Sequence, residues 1–565
     1  MQGEAGRAGS VKWAGLKNLG SISILLRLKS CAAGEWPFLA LFCFFLFSYV
    51  IWICLDRTVP IWDSSAHLLY SYDLKDALTA PIPLEEKLHA LFTCSGWYPP
   101  LFNWVHCLFL MCPTPRNVAD DLPRVVFFAI GLISLYKLGR QLFNDAAAGL
   151  VAMAIFFALP GVCGISHARG LLDMPLASMY FLALWLIARW SAAPSWANAL
   201  LAGCAIGLAC LTKQMGAIFL GPAVFLVLIQ RLFARDFGKA IQFSCGVALA
   251  SIPYLIWLLP HLDAITKKLV LDHELFASRG SGFSLWFANF QLYLQHLSDC
   301  TPVPLSVLFL ISLFNFPAQR KLWLPASALP AFMILCILPW GTSQVRYVLP
   351  ILGYLALSTA ALLVRAWRTT SPLLKALDVL FGLSLLTIYF VFNFTPYPFP
   401  RPPQRGIFDA QYYGFACSRP GALPSEPNPE QPVAYNWLLA RVQSEKLNRP
   451  GVMMVAVDTP NCALTSIEYL ARQRGIPLQF QCLFSSEVNV LRCNPANLNL
   501  DPNWYVTMKN DKSAYRMIFY SEQDLHNYEN LMSYFETSGK FSQVSEFLLP
   551  DGESRMILYR KVSAE

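Results

Sequence analysis

Asp63 and His67 stand four residues apart in the polar stretch LDRTVPIWDSSAHLLYSYDLKDALTAPIPLEEKLHALFTCSGWYPPL, residues 55–101, directly after the first long apolar run. A carboxylate at this place can cap a helix, and Asp followed by Ser-Ser-Ala-His-Leu-Leu-Tyr is an ordinary helix start. It can also take the proton of an incoming hydroxyl, a general-base task that calls for a partly desolvated carboxylate with a raised pKa. Ionisable groups set against a membrane are costly and rare, which on position alone puts the second role level with the first. At i, i+4, His67 shares the helical face of Asp63. The stretch closes on Trp97-Tyr98-Pro99-Pro100-Leu101, so Tyr98 stands where the chain returns to apolar sequence.

A second polar group is Ser166-His167-Ala168-Arg169-Gly170-Leu171-Leu172-Asp173. Arg169 and Asp173 have the i, i+4 spacing of a structural ion pair at a helix start. Together with His167 they also suit a polar pocket shared with Asp63. Lys213, in Leu211-Thr212-Lys213-Gln214-Met215-Gly216, and Arg346, in Gln344-Val345-Arg346-Tyr347-Val348-Leu349-Pro350, are lone cations beside apolar runs. A snorkelling lysine is the plain reading of the first. Both fall on the outer side of the membrane, against the usual charge bias, so each needs a local anion. Phosphate fits, because Arg forks onto it and Lys meets it as a point charge.

The elements that position these residues follow from composition. The chain has 565 residues, 55% hydrophobic and 14% charged, with 40 Phe, 22 Tyr and 16 Trp. Soluble chains carry about 25% charge. Apolar runs at 36–55, 123–141, 147–165, 171–189, 197–212, 215–232, 240–260, 303–317, 323–340, 346–365 and 376–395 predict an α-helical polytopic membrane protein with about eleven transmembrane helices. Lys137, Arg140, Arg189, Arg231, Arg235, Lys239, Arg320, Lys321, Arg365, Arg368 and Lys375 then fall on inside loops. Residues 1–35 read as an uncleaved cytoplasmic leader, 36–395 as the membrane domain with outer loop 56–122, and 396–565 as an extracytoplasmic domain. Residues 99–113 are too short to cross and read as re-entrant or interfacial, and 81–96 as an amphipathic surface helix.

The net charge of +8 is spread over short loops, with no basic stripe interleaved with aromatics, so nucleic acid is set aside as a partner. The 16 cysteines show no CxxC pair and no zinc-type spacing. Those in polar regions, Cys94, Cys417, Cys462, Cys482 and Cys493, could pair in an oxidising compartment.

Beyond the Pro-rich stretch TPYPFPRPPQR, residues 395–405, the pattern predicts a small α/β domain. Its parts are a strand at 452–457, a helix through about 474, a strand near 504–508, a helix near 524–537 and a hairpin around Pro550-Asp551-Gly552. Asp458, at the end of the first strand, reads as a helix cap. There is no Gly-rich phosphate loop and no nucleophile elbow, so this domain is expected to cover the active site or help bind acceptor.

An acidic residue in the first outer loop, Pro99-Pro100-Leu101, Leu122-Pro123-Arg124, Asp173-Met174-Pro175-Leu176, Leu211-Thr212-Lys213 and Arg346-Tyr347-Val348-Leu349-Pro350 occur in that order. Over residues 36–350 the sequence resembles the GT-C class of integral membrane glycosyltransferases, in the branch of the protein O-mannosyltransferases and lipid A aminoarabinose transferases. The resemblance implies a polyprenyl-phosphate-linked sugar as donor and an acceptor hydroxyl on protein, lipid or glycan. Transfer would occur on the periplasmic face of a bacterial inner membrane or the lumenal face of the ER. Asp63 falls on the family's first-loop acid, the proposed base, and Asp173 on its second acidic motif. Lys213 and Arg346 fall on positions proposed to bind donor phosphate. Beside the resemblance, His67, Tyr98, His167, Arg169 and Tyr347 are read as substrate contacts. Two residues depart from the family pattern. Ser64 takes the place of the family's Glu, and Tyr98 that of the lysine before Pro-Pro in the aminoarabinose branch, which argues against an identical donor.

A sugar on a lipid phosphate already carries a good leaving group, so the site needs a base for the hydroxyl and cations for the departing phosphate. Single displacement inverts the anomeric centre; a covalent glycosyl–Asp63 intermediate is the variant. The sequence names no cofactor, and a divalent cation bridging Asp63 and Asp173 to the phosphate is chemically allowed without a dense ligand cluster to demand it. The competing class is a transporter or flippase of a phosphorylated lipid, for which no clear internal repeat is found.

Overall fold

A computed structural model of the chain describes residues 16–56, 59–60, 63–96, 98–275, 282–301, 303–338, 345–369, 371–394, 430–444, 451–455, 462–482, 504–510, 522–549 and 552–562. The strand expected to end at 457, Asp458, the linker at 395–405, Cys417 and Cys493 lie wholly or partly outside these residues.

The chain opens with α1 (Leu16–Leu55) and then turns polar into α2 (Asp63–Thr79), α3 (Leu84–Thr93), α4 (Leu101–Met111) and the single turn α5 (Arg116–Ala119). The bundle follows as α6 (Leu122–Phe143), α7 (Ala146–Ala158), α8 (Pro160–His167), α9 (Asp173–Ala192), α10 (Trp196–Thr212), α11 (Met215–Phe233) and α12 (Phe237–Leu275). Its second part is α13 (Phe283–Cys300), α14 (Val303–Leu313), α15 (Phe316–Lys321), α16 (Ala328–Ile337), α17 (Leu349–Trp367) and α18 (Pro372–Phe394). The C-terminal part is α19 (Glu430–Ser444), β1 (Gly451–Val455), α20 (Leu464–Arg474), β2 (Leu478–Cys482), β3 (Trp504–Lys509), α21 (Glu522–Thr537), β4 (Phe541–Leu548) and β5 (Arg555–Lys561).

The protein is a mostly helical polytopic membrane protein, but the expected eleven spans are not what the fold provides. Among the described residues five segments are long and apolar enough to cross: Glu35–Leu55, Met215–Phe233, Phe237–Lys267, Arg346–Trp367 and Pro372–Phe390. The pair α7 and α8, bent by 66°, makes a sixth if taken as one span. Hydropathy reads composition and not where the backbone breaks. The run 147–165 is cut at Leu159-Pro160, where proline cannot continue a helix through its missing N–H. The run 303–317 divides into an 11-residue and a 6-residue helix. The run 323–340 yields only the 10-residue α16 behind a 3-10 turn at Pro325–Ser327. Helix α10 has 17 residues. Helices α6 and α9 are longer and carry Arg124, Lys137 and Arg140, and Asp173 and Arg189, respectively.

Helix α6 packs on α7 and α9, α17 on α7, and α10 on α9 and α12. With lipid outside, such packing rests on close backbone approach more than on transfer from water. On α10, Gly203 and Gly207 face the carbonyls of Gly246 and Ala250 on α12, with no room for a Cβ. Trp190, Trp257, Tyr136, Tyr180, Phe127 and Phe156 fill the interior.

The C-terminal strands form one mixed sheet, ordered β2-β1-β3-β5-β4. Strand β1 is parallel to β2 and β3, and β5 is antiparallel to β3 and β4. Helix α20 is the crossover that two parallel neighbours require. Residues 504–508 are buried throughout, as in a central strand.

Candidate active site

Asp63 is the first residue of α2, where a carboxylate meets the positive end of the helix dipole. Its side chain is 35% exposed, whereas Ser64, Ser65 and His67 behind it are buried. Helix α4 fixes α2 from one side: Asn103 donates to the His67 carbonyl at 2.7 Å and to Ser71 Oγ at 3.0 Å. From another side the 168–172 loop closes on it at Gly170, whose φ is +80°. A Cβ there would run into the Ser64 carbonyl oxygen. Gly170→Ala is therefore expected to destabilise the protein by about 1–3 kcal/mol, read as a lower thermal unfolding midpoint in detergent.

Three other segments bring charge to the same place. Asp173 opens α9, Lys213 follows the last residue of α10, and Arg346 lies in the 3-10 turn Val345–Val348 ahead of α17. All three are buried. Lys213 Nζ lies 2.7 Å from Asp173 Oδ1. Arg346 reaches both acids, with Nη2 3.2 Å from Asp63 Oδ2 and Nη1 3.5 Å from Asp173 Oδ2. Two anions and two cations thus form one quartet. The Tyr347 ring lies beneath both cations, 4.8 Å from Lys213 Nζ and 5.6 Å from Arg346 Cζ, close enough for cation–π attraction.

Tyr98 and His67 border Asp63. The Tyr98 hydroxyl lies 3.4 Å from Asp63 Oδ2, and the His67 ring meets Tyr98 edge-on at 4.3 Å. His67 Nδ1 is buried and has no hydrogen-bond partner among the described residues. Burial pushes the His67 imidazole down to about 4, Asp63 pulling only partly the other way. Burial pushes the Tyr98 phenol well up, and the neighbouring Asp63 charge adds to that. Asp63 departs from expectation. Burial raises its carboxyl, but Arg346, His67 and Lys213 outweigh this and hold it below the ordinary carboxylate range. The base foreseen with a raised pKa is an ion-paired carboxylate as the quartet stands.

Arg169 does not pair with Asp173. It binds Asp121 through Nε at 2.7 Å and Nη2 at 3.2 Å, the two-pronged geometry that Arg prefers. The i, i+4 pairing is lost because the chain turns at Gly170, between the two residues. Asp121 also meets Arg124 Nη2 at 2.6 Å, and Arg124 lies 3.8 Å from Asp56 and donates to the His167 carbonyl at 2.7 Å. The His167 ring stacks on Trp52 at 3.7 Å. Asp56, Asp120 and Asp121 went unnoticed in the sequence, and Arg124 was read only as part of the Leu122-Pro123-Arg124 motif. The adjacent acids Asp120-Asp121, just before an apolar run, were the available signal.

Among the described residues no three His, Cys, Asp or Glu side chains converge to hold a metal. Cys94, one of the cysteines in polar sequence, is a free thiol. The two acids of the quartet meet Lys213 and Arg346.

A family model described as dolichyl-phosphate-mannose-protein mannosyltransferase matches residues 98–257, a stretch that holds Tyr98, Asp173 and Lys213 but neither Asp63 nor Arg346. No curated protein sequence matches the chain significantly. The structure of ArnT from Cupriavidus metallidurans bound to undecaprenyl phosphate is similar with a TM-score of 0.53 and 13% identity, covering 94% of this chain and 99% of that one. The apo state of the same enzyme gives 0.47 at 15% identity, covering 94% and 99%. Arabinofuranosyltransferase AftD from Mycobacteria gives 0.44 at 12% identity, over 92% of this chain and 42% of that one. The chain is a polytopic membrane protein that shares its fold with the ArnT structure and has a C-terminal part that carries a β-sheet.

Proposed function

We propose that this protein transfers a hexosyl or pentosyl group from a polyprenyl-phosphate donor to an acceptor hydroxyl. The observation that carries the reading is the quartet: Asp63, Asp173, Lys213 and Arg346 come from four distant segments and meet within 2.7–3.5 Å. A charge-balanced cluster buried at the polar end of a bundle costs desolvation, and a phosphate ligand gives it a use. The GT-C-like fold supports the same reading, as does the undecaprenyl phosphate in the ArnT structure.

On this reading the donor phosphate draws Lys213 and Arg346 to itself, with Tyr347 beneath them. Arg346 leaves Asp63, whose carboxylate then accepts the acceptor hydroxyl's proton as that oxygen attacks the anomeric carbon. The C–O bond to phosphate breaks, its electrons go to the phosphate oxygen, and the two cations stabilise the departing polyprenyl phosphate. The anomeric centre inverts. Asp173 keeps Lys213 placed, and His67 and Tyr98 offer polar atoms to sugar or acceptor. His167 and Arg169 hold the loop that Gly170 folds against α2. We place the leader at 1–35, the transferase domain at 36–395 and the remainder at 396–565. Asp63 and the C-terminal domain would face the periplasm of a bacterium or the lumen of the ER.

Purified protein in liposomes, given polyprenyl-phosphate sugars one by one, is expected to release polyprenyl phosphate in step with acceptor glycosylation. Lipid phosphate binding that needs Lys213 and Arg346, with no turnover of any donor, would favour a flippase.

The acid–base state of Asp63 yields a pH prediction. The free enzyme holds Asp63 below the ordinary carboxylate range, so its acid limb in kcat/KM should lie below that range. In the donor complex the phosphate competes for Arg346, so the limb in kcat should lie higher. In Arg346→Ala, burial is no longer offset by the nearest cation, and the kcat/KM limb should move upward. A wild-type limb near pH 6–7 in kcat/KM would contradict the ion-paired ground state.

A further inference from the structure

The geometry points to helix α20 of the C-terminal part as a positioning element of this reaction, one that holds α2, and with it Asp63, in register with Arg346. This rests on the transferase reading and assigns the C-terminal part a role in it.

Helix α20 lies along α2 in the same direction. Thr465 meets Ser65, Tyr469 and Tyr72 meet on one carboxylate, and Arg472 meets Asp73 and Asp76. Residues 465, 469 and 472 are three and four apart, so one helix face makes all these contacts. Two of the contacts bracket Asp63. Ser466 Oγ donates to the Pro60 carbonyl at 2.8 Å, three residues before it, and Ser65 Oγ donates to Thr465 Oγ1 at 2.7 Å, two residues after it.

The second anchor is Asp120, a buried acid that the quartet does not use. Its Oδ1 accepts from Tyr72 at 3.0 Å and lies 3.0 Å from His106 Nε2. Its Oδ2 accepts from Tyr469 at 2.6 Å and from Gln473 at 3.0 Å. Four partners from α2, α4 and α20 therefore share one carboxylate, and the helices cannot slide past each other without stripping a buried anion of its donors. The exposed Arg472 pairs add little, since surface ion pairs are worth about 0–1 kcal/mol. Arg116 caps the arrangement by donating to the carbonyls of Arg472 at 2.7 Å and Gln473 at 3.1 Å.

A misplacement of about 1 Å at a reacting group can cost ~100-fold in rate. Mere glue between two parts of the chain would change stability and leave the rate per folded molecule alone. The test uses the full-length protein in liposomes. Tyr469→Phe, and Thr465→Val with Ser466→Ala, are expected to lower kcat about 10- to 100-fold when assayed well below each variant's unfolding midpoint, with polyprenyl phosphate binding near wild type and a midpoint lowered by the lost buried partner. Thr465→Ser keeps the hydroxyl and should keep the rate. On an Asp63→Asn background the same changes should cost nothing more, because the group they position is gone. Unchanged kcat in both variants, or a loss that multiplies with that of Asp63→Asn, overturns the inference while the transferase reading stands. Absence of turnover in wild-type protein overturns both. If the double variant does not fold, Tyr469→Phe alone decides between positioning and glue on the same criteria.

Discussion

Asp63→Asn is expected to lower kcat by about 10²–10⁴-fold, the range for loss of a general base, while polyprenyl phosphate binds as well as before or better. The direction of the binding change follows from the geometry. Arg346 Nη2 is 3.2 Å from Asp63 in the resting site, so removing the carboxylate charge frees a cation for phosphate. The amide is close in size and shape to the carboxylate, and the fold is expected to survive. Turnover with a labelled donor, and equilibrium binding of polyprenyl phosphate to the same preparation, separate the two effects. Activity equal to wild type would pass the role of base to Asp173, the other carboxylate that Arg346 reaches.

Lys213→Met should cost about 3–5 kcal/mol of stability, the penalty for leaving one half of a buried pair behind. Lys213 Nζ is 2.7 Å from Asp173 Oδ1, and both side chains are nearly sealed from solvent. Without the ammonium, Asp173 would share Arg346 with Asp63. Adding Asp173→Asn to Lys213→Met should recover at least half of the loss, because the amide needs no counter-ion. Unfolding midpoints of the wild type and the two variants in one detergent test this, and donor binding should stay weak in both variants. A single variant that melts with wild type would mean that water already reaches the pair.

Much of this site was legible because its members break local rules. Lys213 and Arg346 are cations beside apolar runs, and Asp63 and Asp173 are acids at the starts of helices that meet the bundle. The C-terminal α/β pattern was readable for a similar reason. The buried run Trp504–Met508 and the turn at Gly552, with φ +74°, are strong local signals. Strand β2 and helix α19 carried weaker patterns and were not anticipated.

Low charge and recurrent apolar runs of helix-spanning length pointed from the sequence to a helical membrane protein. Position beside apolar runs singled out the four ionisable residues of the quartet, along with five other candidates. Other properties depend on distances between segments far apart in the chain. The number of long apolar helices turned on where the backbone breaks, as at Pro160, and on how short α14 and α16 are. Arg169 left Asp173 for Asp121 because the loop turns at Gly170 and brings another acid nearer. The lowered carboxyl of Asp63 comes from Arg346, 283 residues further along the chain. Ion pairing falls off within a few ångströms, so a sequence can name the charges, but only the fold can say which of them touch.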